Sequence, residues 1–189
     1  MGTVVVTAPA IEPVTLSEAL LHLRMDSTEQ NARVQSMISA ARFWAEGYTR
    51  RAFINRTMRE TFDYGWPTEI DFAMSPVSAV SSITYVDTNG VTQTLAASQY
   101  TLHNASAADG LPYVAPAYDV TWPDTRYIES CITVQYVAGY GATAATVPEC
   151  LREAILLHVE LLFDRDGTNR DALEAARNAL LDPYRIARL

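Results

Sequence analysis

The apolar residues of this chain follow a helical spacing at both ends and an alternating spacing in the middle. Apolar side chains recur every three or four residues over 15–50 and again over 147–181. Between them, short runs rich in threonine and aromatic residues are separated by turn residues. Helices and strands that are grouped rather than alternating predict an α+β fold. We expect a helical bundle built from the N- and C-terminal helices, with a small antiparallel β-sheet and hairpin region inserted.

Two helices are predicted in the first third of the chain. Thr15 and Glu18 form a capping box, in which each side chain bonds to the backbone N–H of the other residue. Ser27 and Gln30 repeat this pattern, and an apolar stripe of about four turns follows them. These signals predict a short helix that ends near residue 24 and a helix of about 20 residues that ends near residue 50.

Two more helices are predicted near the C-terminus. Thr146 and Glu149 form a further capping-box pattern, with proline at the intervening position 148. The helix over 148–163 is apolar on much of its circumference, so we expect it to be buried from more than one side. The last helix covers 170–181 and ends before Asp-Pro.

The middle of the chain is predicted to consist of strands and turns. The Asn-Gly pair at residues 89 and 90 favours a tight turn, so residues 82–95 predict a hairpin. Residues 104–119 are typical of a loop. Further strands are predicted at residues 57–64, 100–102, 120–123 and 131–137. The expected organisation is one structural domain: an N-terminal helical part over 1–55, an inserted β-rich region over 56–145, and C-terminal helices with a docking tail over 146–189.

The charge of the chain excludes several classes of protein. All 14 basic residues are arginine, and 22 acidic residues bring the net charge to −8. Without lysine there is no Schiff-base or P-loop lysine, and the acidic balance disfavours a basic nucleic-acid binder. The chain is 49% apolar and 19% charged, which argues against disorder. No apolar run approaches the length of a transmembrane helix.

The acidic excess is concentrated in the middle of the sequence, where residues 60–147 contain one arginine and nine acids. A solvated sheet face accounts for such a pattern, and so does a surface that must not adhere to a polyanion. The candidate residues for this acidic surface are Asp63, Glu69, Asp71, Asp87, Asp109, Asp119, Asp124 and Glu129.

No constellation of residues predicts catalysis, a cofactor or a metal ion. Cys150 and His158 are eight residues apart, which is about 12 Å along one helix, so they do not form a nucleophile–base pair. The three histidines form no HxH or HxxxH pair, and no CxxC is present. Cys131 and Cys150 are expected to be free thiols in a reducing compartment.

Several short segments, in this order and spacing, resemble the head–tail connector (adaptor) family of tailed bacteriophages, prophages and gene-transfer-agent particles. The resemblance covers nearly the whole chain. The segments include residues 14–19 (Val-Thr-Leu-Ser-Glu-Ala), 38–42 (Ile-Ser-Ala-Ala-Arg), 83–87 (Ile-Thr-Tyr-Val-Asp), 134–140 (Val-Gln-Tyr-Val-Ala-Gly-Tyr), 151–155 (Leu-Arg-Glu-Ala-Ile) and 180–185 (Leu-Leu-Asp-Pro-Tyr-Arg).

The resemblance implies a structural virion protein without enzymatic activity or cofactors. Such a protein forms a ring of about twelve copies, closed by head-to-tail contacts. The ring lies beneath the portal protein and joins it to the next connector, stopper or tail protein. DNA passes through the lumen without sequence-specific binding. The resemblance also implies a location at the head–tail junction of the particle, assembly in the host bacterial cytoplasm, and no membrane partner.

Within that family the resemblance assigns expected roles to three sets of residues. The acidic surface would line the DNA channel or its approaches, and the arginines of the helical ends would serve protein–protein contacts. The expected subunit-interface residues on the 148–163 helix are Leu156, Leu157 and Leu161. The expected portal-docking residues of the C-terminal tail are Tyr184, Arg185, Ile186, Arg188 and Leu189.

Two other functional classes remain open at the level of sequence. One is a stopper or tail terminator of the same particle, although such proteins are centred on β-barrels and the four flanking helices argue against them. The other is a small cytosolic enzyme with a pair of catalytic carboxylates, for which the spacing nominates no residues.

Overall fold

The computed structural model describes residues 2–26, 29–105, 111–164 and 167–186. These residues form an α+β fold with antiparallel sheets, as predicted. The helices are α1 (Leu16–His22), α2 (Asn31–Thr49), α3 (Glu149–Phe163) and α4 (Arg170–Leu181). The strands are β1 (Gly2–Thr7), β2 (Arg56–Phe62), β3 (Ile70–Asp71), β4 (Val77–Val86), β5 (Thr92–Thr94), β6 (Tyr100–His103), β7 (Tyr113–Pro116) and β8 (Ile132–Ala138).

The chain divides into two compact units. Residues 1–9 and 55–140 form the sheet unit, and residues 10–54 and 141–189 form the helical unit. The helical unit therefore combines segments from both ends of the sequence. The first nine residues lie with the strands rather than with the helices that follow them.

The sheet unit contains a five-stranded sheet in the order β1-β2-β8-β4-β5 and a three-stranded sheet in the order β3-β7-β6. All neighbouring strands are antiparallel. In β8 every second residue is buried, from Ile132 to Ala138, because successive side chains of a strand point to opposite faces. Tyr136 and Ile83 are completely buried in this core.

The helical unit is organised around α3, which packs against α1, α2 and α4. On α2 the predicted apolar stripe is buried at Val34, Ile38 and Ala41. On α3 the side chains of Leu151 and Ile155 are completely buried. Burial of one leucine or isoleucine side chain contributes about 1.5–3 kcal/mol, so these stripes stabilise the unit substantially.

Of the predicted capping boxes, the structure contains the one at Thr15 but not the one at Thr146. The Thr15 box is confirmed: its hydroxyl accepts from the Glu18 N–H at 3.2 Å, and the Glu18 carboxylate accepts from the Thr15 N–H at 2.7 Å. The Thr146 box is wrong, because the Thr146 hydroxyl donates to the Thr143 carbonyl at 2.6 Å and α3 begins without a side-chain cap. Helix α2 begins at Asn31, later than predicted, and Ser27 lies outside the described residues.

The strand predictions are confirmed for β2, β6, β8 and the hairpin of β4 and β5. Strands β1 and β3 were not predicted, and the predictions for residues 104–119 and 120–123 are wrong. Strand β7 lies in the predicted loop, and residues 120–123 form no strand. Side chains hold the latter segment instead: the Trp66 and Trp122 rings stack at 4.5 Å. Their indole N–H groups donate to the carbonyls of Pro123 and Pro67 at 2.8 and 3.1 Å.

Candidate functional site

An aromatic and arginine cluster fastens α4 to α2 within the helical unit. The ring of Trp44 stacks on Tyr48 at a centroid distance of 5.2 Å and faces the His158 ring at 4.6 Å. The guanidinium carbon of Arg177 lies 3.8 Å from the Trp44 ring centroid. Desolvated cation–π contacts contribute about 2 kcal/mol. Because Arg177 is only 7% exposed, this contact helps to hold α4 in place.

His158 is buried next to Arg177 and acts as a hydrogen-bond acceptor. The Nη1 atom of Arg177 donates to Nδ1 of His158 at 2.9 Å, so that nitrogen carries no proton. Burial, and then the positive charges of Arg177 and Arg170, lower the pKa of His158 to about 4. The imidazole is therefore neutral at neutral pH.

The first part of the predicted docking tail is anchored to the C-terminal end of α2. The Arg51 Nε donates to the backbone carbonyl of Tyr184 at 2.7 Å. The backbone N–H of Ile186 donates to the carbonyl of Thr49 at 3.1 Å. Tyr184 and Ile186 remain partly exposed. These two hydrogen bonds hold residues 184–186 against the end of α2.

Tyr48 supports the same segment through its hydroxyl group and its ring. The hydroxyl donates to Oδ1 of Asp182 at 2.6 Å, and this hydrogen bond is the main cause that raises the pKa of Tyr48. The guanidinium carbon of Arg185 lies 5.1 Å from the Tyr48 ring centroid. The remaining predicted tail residues, Arg188 and Leu189, lie outside the described residues.

The predicted interface leucines of α3 are not equally accessible. Leu156 and Leu157 are partly exposed, whereas Leu161 is only 3% exposed. Leu161 packs into the core of its own unit, so its side chain is not accessible to a neighbouring subunit, and its predicted interface role is wrong. The candidate interface on this helix is reduced to Leu156 and Leu157.

Arginines of the helical unit bind carboxylates within the same unit. Arg42 pairs with Glu12 at 2.6 Å and with Glu46 at 2.9 Å. Arg152 donates to the carboxylate of Glu18, the residue that completes the cap of α1. Partly buried pairs of this kind hold helices in register. These arginines therefore serve the internal packing of the unit, which differs from the expectation that they contact other proteins.

The predicted acidic residues are spread over the sheet unit. Asp109 lies outside the described residues, and Asp63 and Asp87 are partly exposed. The exposed members are Glu69, Asp71, Asp119, Asp124 and Glu129. The contacts bring two members together: Asp63 accepts from the Ser130 N–H at 2.7 Å, and the neighbouring Glu129 accepts from the Tyr64 hydroxyl at 3.1 Å.

Two acids of this region have structural roles. Asp87 accepts from the Gln93 side chain and from the Val91 N–H, and these hydrogen bonds lower its pKa. Asp87 thereby closes the β4–β5 hairpin. Glu60 is completely buried and accepts from the Tyr136 hydroxyl and from the Ala73 N–H at 2.8 Å. The alternation of β2 places residue 60 on the buried face, a signal that sequence reasoning left unused.

Exposed aromatic residues lie beside the acids of the sheet unit. Tyr127 is 78% exposed and Tyr64 is 49% exposed, and their ring centroids are 4.9 Å apart. Tyr118 is 99% exposed. Tyrosines in such positions are typical of protein–protein contact surfaces. Sequence reasoning missed these tyrosines because the strand predicted over 57–64 ends at Phe62, and Tyr118 and Tyr127 lie in irregular segments.

The described residues hold no group of three or more His, Cys, Asp or Glu side chains arranged to bind a metal ion. Within the same ranges, no helix combines the length and hydropathy needed to cross a membrane. The structure places predicted site residues on three surfaces: the anchored C-terminal segment, the partly exposed side of α3, and the acidic and aromatic surface of the sheet unit.

Comparison with solved structures finds the same fold in neck proteins of gene transfer agent (GTA) particles. A chain in the virion of a native GTA particle superimposes with a TM-score of 0.81 at 22% identity. A chain in the neck of an empty particle, computed with C6 symmetry, gives the same values. For both, the match covers 100% of this chain and 97% of the other.

A chain in the neck of a native GTA particle, computed with C12 symmetry, matches at a TM-score of 0.74 and 21% identity, again over 100% of this chain. No family model and no curated protein matches the sequence. At these identities, the likeness shows a shared fold over the full length of the chain.

Proposed function

We propose that this chain is a structural neck protein of a phage-like particle, and more specifically a head–tail connector that forms a ring of about twelve copies. The observation that carries this proposal is the shared fold, which extends over the full chain and over 97% of GTA neck chains. Both units of the chain are included in that match. The proposal therefore does not rest on a common substructure that many unrelated proteins share.

The ring is supported by the cyclic symmetry with which the similar necks were computed, C6 and C12. A closed ring uses two different surfaces of each subunit, one on each side. Leu156 and Leu157 are proposed to belong to one of these surfaces, because they are aliphatic and only partly covered within their own unit.

The C-terminal segment is proposed to dock on the portal protein. Its anchor on Thr49 and Arg51 fixes the position of residue 186, to which the last three residues are joined. Tyrosine and arginine are enriched among residues that dominate protein–protein binding. An anchored segment also loses less conformational entropy on binding than a free one.

The acidic surface is proposed to face the DNA path. Repulsion between carboxylates and phosphates prevents DNA from adhering while it passes, and screening limits this effect to about 8–10 Å at physiological salt. The exposed members Glu69, Asp71, Asp119, Asp124 and Glu129 carry this role. Asp87 also carries its charge, because the hydrogen bonds of the hairpin turn lower its pKa.

A photocrosslinking experiment tests the connector role against that of a stopper or tail terminator. A photoreactive amino acid replaces Arg185 in particles purified from the producing cells, and mass spectrometry identifies the crosslinked protein. The control position is Ala176, which is exposed on α4. We expect Arg185 to crosslink to the portal and Ala176 not to do so. Crosslinks from Arg185 only to tail proteins would contradict the connector role.

A further inference from the structure

Strand β1 forms one edge of the five-stranded sheet and is exposed along its whole length. Val4, Val5 and Val6 are 50%, 47% and 46% exposed. Among the described residues, β1 pairs with β2 alone. The backbone groups on its other side therefore have no strand beside them in a single copy.

The composition of β1 lacks the features that protect the edges of sheets. Residues 2–7 contain no charged residue and no proline, whereas natural edge strands carry lysine, proline or a covering element. Its one irregularity, between Val5 and Thr7, lies at the end of the strand and leaves Gly2–Val5 in regular pairing. Three consecutive valines on such an edge are typical of a strand that pairs with another chain.

The opposite side of the same sheet offers a second open edge. Strand β5 covers only Thr84–Val86 of β4, so the first half of β4 has no partner on that side within the described ranges. Residues 77–82 of this half (Val-Ser-Ala-Val-Ser-Ser) are uncharged, and Ser78, Ala79 and Ser81 are exposed. Two bulges opposite β8 add backbone groups that lie outside that pairing.

The directions of the strands make these two edges compatible. β1, β2, β8 and β4 alternate in direction, so β1 and β4 run in opposite directions. Rotation of a second copy about an axis along the strands brings its β1 beside the open half of β4. The two strands then meet antiparallel, and the alternation of the sheet continues from one copy to the next.

We propose that β1 of one copy adds to the open edge of β4 in the neighbouring copy, so that the sheet continues through the assembly. This inference rests on the proposed ring and identifies one of its contacts. The contact is head-to-tail, since it uses residues 2–7 of one copy and residues 77–82 of the next. Backbone hydrogen bonds and the exposed valines supply the attraction.

Disulfide crosslinking in purified particles tests this pairing. Val4→Cys is combined with Ala79→Cys, Val80→Cys or Ser81→Cys to cover the neighbouring registers, with the exposed Cys150 changed to serine. Side chains opposite each other on paired strands lie about 4.5–5.5 Å apart at Cβ, which one of these registers brings within reach of a disulfide.

Each copy then carries one cysteine at each edge. We expect a series of disulfide-linked multiples that extends beyond the dimer for at least one register. We expect monomers for each single variant and no multiples beyond the dimer for the control pair of Val4→Cys with Thr68→Cys, since Thr68 is exposed outside both edges.

A second pair of variants tests the edge without crosslinks. Val4→Lys with Val5→Lys introduces the charge that edge strands normally carry, and Thr68→Lys is the matched control. We expect the double variant to keep the circular dichroism spectrum of the wild type. The number of its copies per particle is expected to be at least tenfold lower than that of the wild type. The control is expected to incorporate normally.

The outcomes separate this inference from the function on which it rests. Strand addition would be overturned if the wild-type chain is present at ring stoichiometry, no register gives a crosslink, and the lysine variant is incorporated normally. The proposal of a ring would be unaffected by that result. Absence of the wild-type chain from particles would overturn both.

Discussion

The depressed pKa of His158 predicts that acid destabilises the helical unit. The imidazole of an unfolded chain titrates near pH 6.5, whereas burial and Arg177 lower the pKa of folded His158 to about 4. Between these values the unfolded state binds more protons than the folded state. The contribution of neutral His158 to the free energy of unfolding is therefore complete above pH 6.5, and it is lost as the pH falls from 6.5 to 4.

The magnitude follows from the two pKa values. Lowering the pH from 7.5 to 5 shifts the unfolding free energy by about 2 kcal/mol through this single group, and the full difference below pH 4 is about 3 kcal/mol. With a denaturant slope near 2 kcal/mol per molar, the urea midpoint falls by about 1 M over the first interval.

Urea unfolding at pH 7.5 and pH 5 measures this effect when the wild type is compared with His158→Gln. Glutamine does not titrate and still offers an acceptor to Arg177. We expect the stability of the wild type, relative to the variant, to fall by about 2 kcal/mol between the two pH values. A difference that stays constant with pH would refute the burial of a neutral imidazole against Arg177.

Three further predictions concern stability measured by urea unfolding. Gly139→Ala is expected to destabilise the protein by about 3 kcal/mol, because the φ of Gly139 is +143° and a Cβ would lie 2.5 Å from the Asn55 nitrogen. Gly47→Ala is the control: its Cβ would lie in open space, and the variant is expected to stabilise the protein by about 0.5–1 kcal/mol. Equal effects of the two variants would contradict both expectations. Thr15→Ala is expected to cost about 1 kcal/mol through loss of the α1 cap; a neutral result would contradict the cap. Trp44→Ala is expected to lower the free energy of unfolding by about 3 kcal/mol, since His158 and Arg177 both contact the Trp44 ring. A decrease below 1 kcal/mol would show that these contacts do not stabilise the helical unit.

Elements set by local interactions were predictable from the sequence. The Thr15 cap, the bounds of α4 and the hairpin around Gly90 depend on residues within a few positions of one another. The buried stripe of α2 follows from helical periodicity alone. The order of helices and strands was sufficient for the α+β class.

Elements set by distant partners were not predictable in this way. β1 is exposed throughout, so its residues carry no alternation, and it is a strand only because β2 pairs with it. The segment around Trp122 has the composition of a strand, but it joins no sheet in the described part of the chain. The Trp122 side chain instead donates a hydrogen bond to the backbone carbonyl of residue 67. Thr146 has the spacing of a cap, yet its hydroxyl is already engaged by Thr143.

The candidate site was predictable only in outline. The sequence was sufficient to place the acidic residues in the middle region and the docking tail at the C-terminal end. It did not show which candidate side chains are exposed and which are buried. Leu161 is buried in the core, so its side chain does not reach a surface. The contact of His158 with Arg177 joins two helices across 19 residues, and no spacing rule indicates it.

Electron cryomicroscopy of particles from the producing cells tests the central claim most directly. The neck is reconstructed with and without imposed symmetry, and the chain is fitted by its two units. We expect about twelve copies in a ring directly beneath the portal, in keeping with the C12 symmetry of the neck that contains a chain of the same fold. Particles without this chain, or with it only in the capsid or the tail tube, would contradict the account.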